Sequence, residues 1–290
     1  MVRNPFNRHQ VTRVRLTPQE TGCLVLWTKN PAPLLPHLQT ITELGYSMVF
    51  HYTLTGCDPA LEPGLPSLEE RIATFRALSG ILGPQRVLWR FDPIVLTKAQ
   101  GPQDWLHRFA DLAGRLNGVT KQCTISFVSL YAKCRRHLAG IGLLNVEEAV
   151  KRALVSGMAQ FATCHGIRLV ACCDPFVTGQ CGIEQAHCID AMQLGVLLGR
   201  DLVAGKDTGQ RPGCGCSRSI DIGAYDSCSH GCRYCYATTS FQAVGRNMSF
   251  HDPDSPLLIG QLRGDERIRD REIVASIGGQ PRQLPLPTGG

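Results

Sequence analysis

Short runs of apolar, β-branched and aromatic residues alternate along the chain with segments whose apolar positions recur every three to four residues. The runs at 23–27, 46–53, 86–91, 122–128, 167–172 and 219–224 have the length and continuity of buried strands. Between them lie amphipathic stretches. Ser67-Leu68-Glu69-Glu70 has the form of a capping box, and Ile72, Phe75, Leu78 and Leu82 follow at helical spacing until Gly83-Pro84. Segment 103–116 carries Leu106, Phe109, Ala110, Ala113 and Leu116 on one face and stops at Asn117-Gly118. Asn145 with Glu148 predicts the cap of a helix running to His165, and 182–203 predicts another long helix.

Strand alternating with helix is the signature of a parallel sheet with right-handed crossovers. About six such units predict an α/β fold, a full or partial (β/α) TIM-like barrel. The organisation expected is barrel units over 1–203, then a final strand and loop over 204–260 closing the same domain. After that, 261–290 reads as a charged and then disordered tail.

In such barrels chemistry sits where strands end. Here those ends are polar or reactive: Trp27-Thr28-Lys29-Asn30, His51-Tyr52-Thr53, Arg90-Phe91-Asp92-Pro93, Ser126 to Ser129, and Cys172-Cys173-Asp174. Five in succession predict a lined cavity, with Lys29, Arg90, Asp92 and Ser126 as candidate catalytic residues. Taken singly each has a plainer role: Asp92 can shape a turn before Pro93, and Arg90 can pair with it.

Composition narrows the class. At 290 residues and 43% hydrophobic, the chain is too apolar for disorder and long enough for a large core. No apolar run approaches the ~18 residues of a membrane span, so no membrane association is expected. The first residues lack the apolar core of a signal peptide, so the expected location is the cytoplasm. The net charge of +6 is dispersed, and reads as a solvated surface rather than the footprint of a nucleic-acid binder. The 14 cysteines are the outlier, and inside a cell they point to metal or redox chemistry rather than disulfides.

Three of them fall close together, as Cys228-Ser-His-Gly-Cys232-Arg-Tyr-Cys235, directly after the 219–224 run. Three thiolates on one loop can hold three irons of a [4Fe–4S] cube and leave the fourth iron open. Gly231 lets such a loop wrap tightly. A structural zinc site is the alternative, with a fourth ligand from Cys214, Cys216 or His230.

The C-x3-C-x-Tyr-C form resembles the radical S-adenosylmethionine superfamily. That resemblance implies Cys228, Cys232 and Cys235 as cluster ligands and S-adenosylmethionine on the open iron. It implies Tyr234, Tyr236 and Gly231 as cofactor-binding residues, and a flavodoxin- or ferredoxin-type reductant. In that superfamily the motif follows the first barrel strand. Here it follows the last predicted strand, as in a circular permutation. A closer resemblance runs along nearly the whole chain, to a bacterial family of unknown function with this C-terminal motif. It rests on Val2-Arg-Asn-Pro-Phe-Asn7, Trp27-Thr-Lys-Asn-Pro31, Trp89-Arg-Phe-Asp-Pro93, Gly182-Ile-Glu184, Cys188-Ile-Asp190, Cys214-Gly-Cys216, Asp221-Ile-Gly-Ala-Tyr225 and His251-Asp-Pro253 with Ser255-Pro-Leu257. It further implies a segment with a Ser-Arg-Arg-Thr-Asp run before Val2, and one more barrel strand with it.

Of the other cysteines, Cys23, Cys123, Cys134 and Cys164 sit in apolar patterns and read as buried small hydrophobes. Cys172, Cys188, Cys214 and Cys216 lie in the family-like segments. Together they would hold an auxiliary iron–sulfur cluster or a zinc, a closed site with a structural or electron-relaying role. The plainer alternative makes Cys214 and Cys216 reduced surface thiols. The expected function is a radical S-adenosylmethionine enzyme of unknown substrate. The alternatives are a radical-type lyase that repairs DNA lesions, or a non-catalytic zinc or iron–sulfur binding module.

Overall fold

Six parallel strands lie side by side in the order in which the chain makes them. The structure is a computed structural model and describes residues 1–4, 7–272 and 276–278. In chain order its strands are β1 (Val2–Arg3), β2 (Gln10–Arg13), β3 (Leu24–Thr28), β4 (Met48–Thr53), β5 (Val87–Ile94), β6 (Gln122–Phe127), β7 (Arg168–Cys172), β8 (Glu184–Ala186), β9 (Asp201–Val203), β10 (Arg267–Asp270) and β11 (Ser276–Gly278). Its α-helices are α1 (Leu38–Glu43), α2 (Leu68–Leu82), α3 (Pro102–Arg115), α4 (Ala132–His137), α5 (Glu148–Cys164), α6 (Ala191–Leu198) and α7 (Phe241–Met248).

The central sheet is β3-β4-β5-β6-β7-β8. Its order never reverses, so every right-handed crossover steps the same way and the connecting helices share a face. α3 and α5 accordingly lie against each other. A Cβ on Gly157 would come within 2.8 Å of Leu106 Cδ1, so glycine sets how closely the two helices approach. The fold is mixed α/β, and among the described residues the sheet is open, with β3 and β8 each pairing on one side only.

The near-continuous apolar character of β4, β5 and β6 follows from burial on both faces. Trp89 stacks on Phe109, and Phe91 meets Trp89, Trp105 and Phe109 edge-on. The two indoles satisfy their N–H groups inside the core by donating to Leu54 O at 2.8 Å and Val95 O at 3.0 Å. The capping box at α2 forms as the sequence predicts: Glu70 N donates to Ser67 Oγ at 3.2 Å, and Ser67 N to Glu70 Oε2 at 2.9 Å.

Four expectations fail. Residues 219–224 form no strand: Gly223 N turns back onto Asp221 Oδ1 at 2.8 Å, a local side-chain contact that competes with strand pairing. The 182–203 stretch is not one helix. Residues 184–186 pair with β7, and Asp190 caps a new, shorter helix by accepting from Gln193 N at 3.0 Å. The α5 cap is Glu147 rather than Asn145. Cys164 is exposed, because it lies on the outer side of the last turn of α5.

A second, small sheet joins the two ends of the chain. β2 pairs antiparallel with β1 and parallel with β10. Part of the segment read as a charged tail is thus a strand, held by its backbone and by Arg3 on Glu266 at 2.8 Å. The stretch expected to be disordered lies, from 279 onward, outside the described residues. No helix among the described residues is long and apolar enough to cross a membrane.

Candidate functional site

All six strands of the central sheet point the same way, so their C-terminal ends gather the residues that follow them. Two polar clusters form there.

The first surrounds the cysteine loop. Arg233 N donates to Leu61 O and Gly64 N to His230 O, each at 3.0 Å, so residues 61–64 after β4 dock against residues 230–233. A Cβ on Gly64 would stand 2.7 Å from Ser229 O and 2.9 Å from His230 O, a contact only glycine permits. Gly231 adopts φ +68° beside Pro63, which turns the loop between the first two cysteines. Cys228 is exposed, Cys232 buried and Cys235 half-buried.

Beneath the loop lies Glu62, 4% exposed. It accepts from Lys29 Nζ at 2.8 Å, Arg71 Nη1 at 3.4 Å, Thr55 Oγ1 at 3.4 Å and the hydroxyl of Tyr234. Lys29 also sits 5.3 Å from the centre of the Tyr234 ring. Burial pushes the Glu62 carboxyl up, but Lys29, Tyr234 and Arg71 outweigh it and hold the pKa below the ordinary value. Burial pushes the Cys232 thiol up to about 12, with Lys29 opposing. Cys134 Sγ donates to Tyr234 O at 3.2 Å and secures the loop from the other side.

The second cluster lies at the ends of β5, β6 and β7. Arg90 pairs with one oxygen of Asp92, and Ser126 donates to the other. Arg90 Nη1 also reaches Cys188 Sγ at 3.2 Å, and Cys188 lies 3.0 Å from Cys172 Sγ. Cys216 in turn lies within electrostatic reach of Cys188 and Cys214. The Cys172 thiol, 3.0 Å away, and Cys216, then the charge of Arg90, outweigh burial and hold the Cys188 pKa well down. Those of Cys172 and Cys216 are driven up by the neighbouring Cys188 and by burial. Burial, reinforced by Arg90, lowers His51 to about 4, so its imidazole is neutral at pH 7. His51 Nε2 bonds Cys188 O at 2.8 Å, and its ring stacks on Trp27. Beside this cluster is a cleft of about 210 Å³ lined by Ser126, Ser129, Cys172, Cys173, Asp174 and Arg211 among others.

Arg90, Asp92 and Ser126 therefore meet, and they meet Cys172 and Cys188. Lys29 is not among them: it belongs to the loop cluster through Glu62. Tyr234 is buried in that cluster, whereas Tyr236 is 62% exposed. Cys214 and Cys216 join the thiols of the second cluster rather than the loop. Sequence reasoning missed Glu62, Arg71 and Cys134. Glu62-Pro63-Gly64 has only the signature of a turn, and nothing local marks the carboxylate as buried.

Three thiols on one tightly turned loop, with one of them exposed, suit a cluster that keeps a face open. Among the described residues, no three His, Cys, Asp or Glu side chains already face one point as metal ligands. Rotation about the Cα–Cβ bonds is what would bring the loop sulfurs to one centre.

A family model described as Domain of unknown function (DUF1848) matches residues 1–237, from β1 through the third loop cysteine. No curated protein and no solved structure matches the chain.

Proposed function

The chain belongs to the DUF1848 family, and we propose that it is a radical S-adenosylmethionine enzyme whose [4Fe–4S] cluster is held by Cys228, Cys232 and Cys235. The observation that carries this reading is the docking of a three-cysteine loop onto residues 61–64, at the C-terminal edge of a sequentially ordered parallel sheet. We read that sheet as a partial β/α barrel. The loop comes late in the chain but returns to the β4 end, a place that an N-terminal motif would reach directly. This is the circularly permuted arrangement.

When bound, such a cluster supplies the electron that cleaves the sulfonium of S-adenosylmethionine, with a flavodoxin- or ferredoxin-type protein as reductant. The chain's own residues do the rest. Lys29, Glu62 and Tyr234 hold the loop rigid from below. Tyr236, on the open side, offers a ring to the cofactor, and Gly231, at φ +68° against Pro63, gives the loop beside it its turn. Arg90, Asp92 and Ser126 present charge and a hydroxyl to the substrate side.

The test is anaerobic reconstitution with iron and sulfide, followed by dithionite and S-adenosylmethionine. About four irons on the loop and production of 5′-deoxyadenosine are expected. The Cys232→Ala variant should lose both while keeping its far-ultraviolet circular dichroism. Zinc in place of iron, with no nucleoside product, would refute the reading.

A further inference from the structure

We infer that Cys172, Cys188, Cys214 and Cys216 form a second thiolate site for a soft metal centre, separate from the Cys228–Cys235 loop. Three segments distant in sequence bring these sulfurs together: the end of β7, the residues after β8, and the 206–217 loop. The loop is placed by its backbone, through Asp207 N to Cys216 O at 2.9 Å and Ser217 N to Ile189 O at 2.8 Å.

These thiols are not core fillers. Cys57, Cys123 and Cys134 belong to the main hydrophobic cluster, whereas Cys172, Cys188 and Cys214 do not and Cys216 is buried outside it. Cys172, Cys188 and Cys214 are half-buried, where an apolar side chain would have served packing as well. Cys172 Sγ is 3.0 Å from Cys188 Sγ, and the Cys216 thiol lies within electrostatic reach of Cys188 and Cys214. Among the described residues no three of these thiols already face one point, so binding draws them round one centre by side-chain rotation.

Two further features suit a metal. Arg90 is 8% exposed and reaches Cys188 Sγ at 3.2 Å, placing a buried positive charge beside thiolates that a metal leaves with net negative charge. The Cys-Gly-Cys segment also depends on its glycine. A Cβ on Gly215 would lie 2.1 Å from His187 Cε1, so the imidazole lodges directly against the backbone between the two cysteines. His187 Nδ1 is buried there without a hydrogen-bond partner. Four thiolates complete a coordination sphere, so this centre is closed, with a structural or electron-relaying role and no open catalytic position.

The experiment uses two full-length variants purified after growth with added iron and zinc, then reconstituted anaerobically with iron and sulfide. Cys228→Ala/Cys232→Ala/Cys235→Ala removes the loop ligands and should retain one zinc or about four irons. Zinc identifies a single-ion site, and iron with matching sulfide identifies a cluster. Cys172→Ser/Cys188→Ser/Cys214→Ser/Cys216→Ser should lose that amount and keep the loop's. A folded loop variant with no metal would overturn the inference, as would a disulfide between any two of the four in the wild-type chain. Loss of loop metal alone would refute the proposed function without touching this site.

Alkylation of the wild-type chain guards against misfolded variants. With metal bound, Cys172, Cys188 and Cys214 should resist iodoacetamide and become reactive after chelation, whereas the exposed Cys164 and Cys181 should react throughout. Equal reactivity before and after chelation would overturn the inference.

Discussion

The hydroxyl of Tyr234 donates to the carboxylate of Glu62, 172 residues earlier in the chain. The contact joins the cysteine loop to the charge cluster under β3 and β4. A buried carboxylate shared by Lys29, Arg71 and Tyr234 holds the loop by charge as well as by shape.

Glu62→Gln should therefore cost far more than an exposed substitution. It leaves Lys29 and Arg71 facing a neutral amide, a loss of ~3 kcal/mol by analogy with broken buried pairs. Tyr234→Phe removes one hydrogen bond to a charged group and should cost ~2 kcal/mol. Urea denaturation of both variants checks the order. A Glu62→Gln change within ~0.5 kcal/mol of wild type, as on an open surface, would contradict it.

Gly64→Ala should loosen the loop while the sheet stays intact. The added methyl would stand 2.7 Å from Ser229 O, and neither backbone can yield without breaking the Gly64–His230 hydrogen bond. Faster proteolytic cleavage within 228–235 is expected, with destabilisation of ~1–3 kcal/mol. Gly80→Ala, which meets open space on α2, is the control and should be neutral or stabilising. Equal cleavage rates in the two variants would count against loop docking at Gly64.

Asp92→Asn should leave Arg90 buried without its partner. Arg90 and Asp92 are 9% and 16% exposed in their side chains, and Ser126 has no comparable charge to offer. A loss of ~3 kcal/mol is expected, against ~1 kcal/mol for Ser126→Ala. Thermal melts of the pair decide it: similar shifts would mean that Asp92 is solvated after all.

The junction of the chain ends should be acid-sensitive. Backbone N–H groups of Arg263 and Gly264, with Arg3, lower Glu266 from 4.5 to about 2. Its carboxylate side chain is 3% exposed, covered by these partners at the surface rather than sunk in the core. A folded-state pKa below the unfolded one gives stability that is present in full above about 4.5 and lost as pH falls towards about 2. Hydrogen exchange at β2 and β10 should quicken over that window, and Glu266→Gln should abolish the change. A wild-type profile flat from pH 5 to about 2 would refute it.

Strands β3 to β7 of the central sheet were legible because each is an apolar run, and parallel burial makes such runs continuous, whereas β8 was read as part of a helix. Segment 219–224 has the same apolar look, but Asp221 offers its backbone a local partner, and no sheet edge receives it. The 182–203 stretch misled because periodicity alone does not see Asp190, whose side chain starts a helix well inside it. At the site, Cys172 and the Arg90–Asp92–Ser126 group could be read from strand ends, and the loop thiols from their spacing. Glu62 could not, since its role depends on Tyr234 arriving from the far end of the sequence.

That late arrival sets an order of events on the ribosome. At ~5–20 residues per second, roughly 10–30 s pass between the emergence of Glu62 and that of Tyr234. During that interval β5 to β8 are still being made, and Lys29, Glu62 and Arg71 wait for the ring that will cover them. Whatever the cysteine loop is to carry, its seat is finished before the loop exists, and loading becomes one of the last acts of maturation.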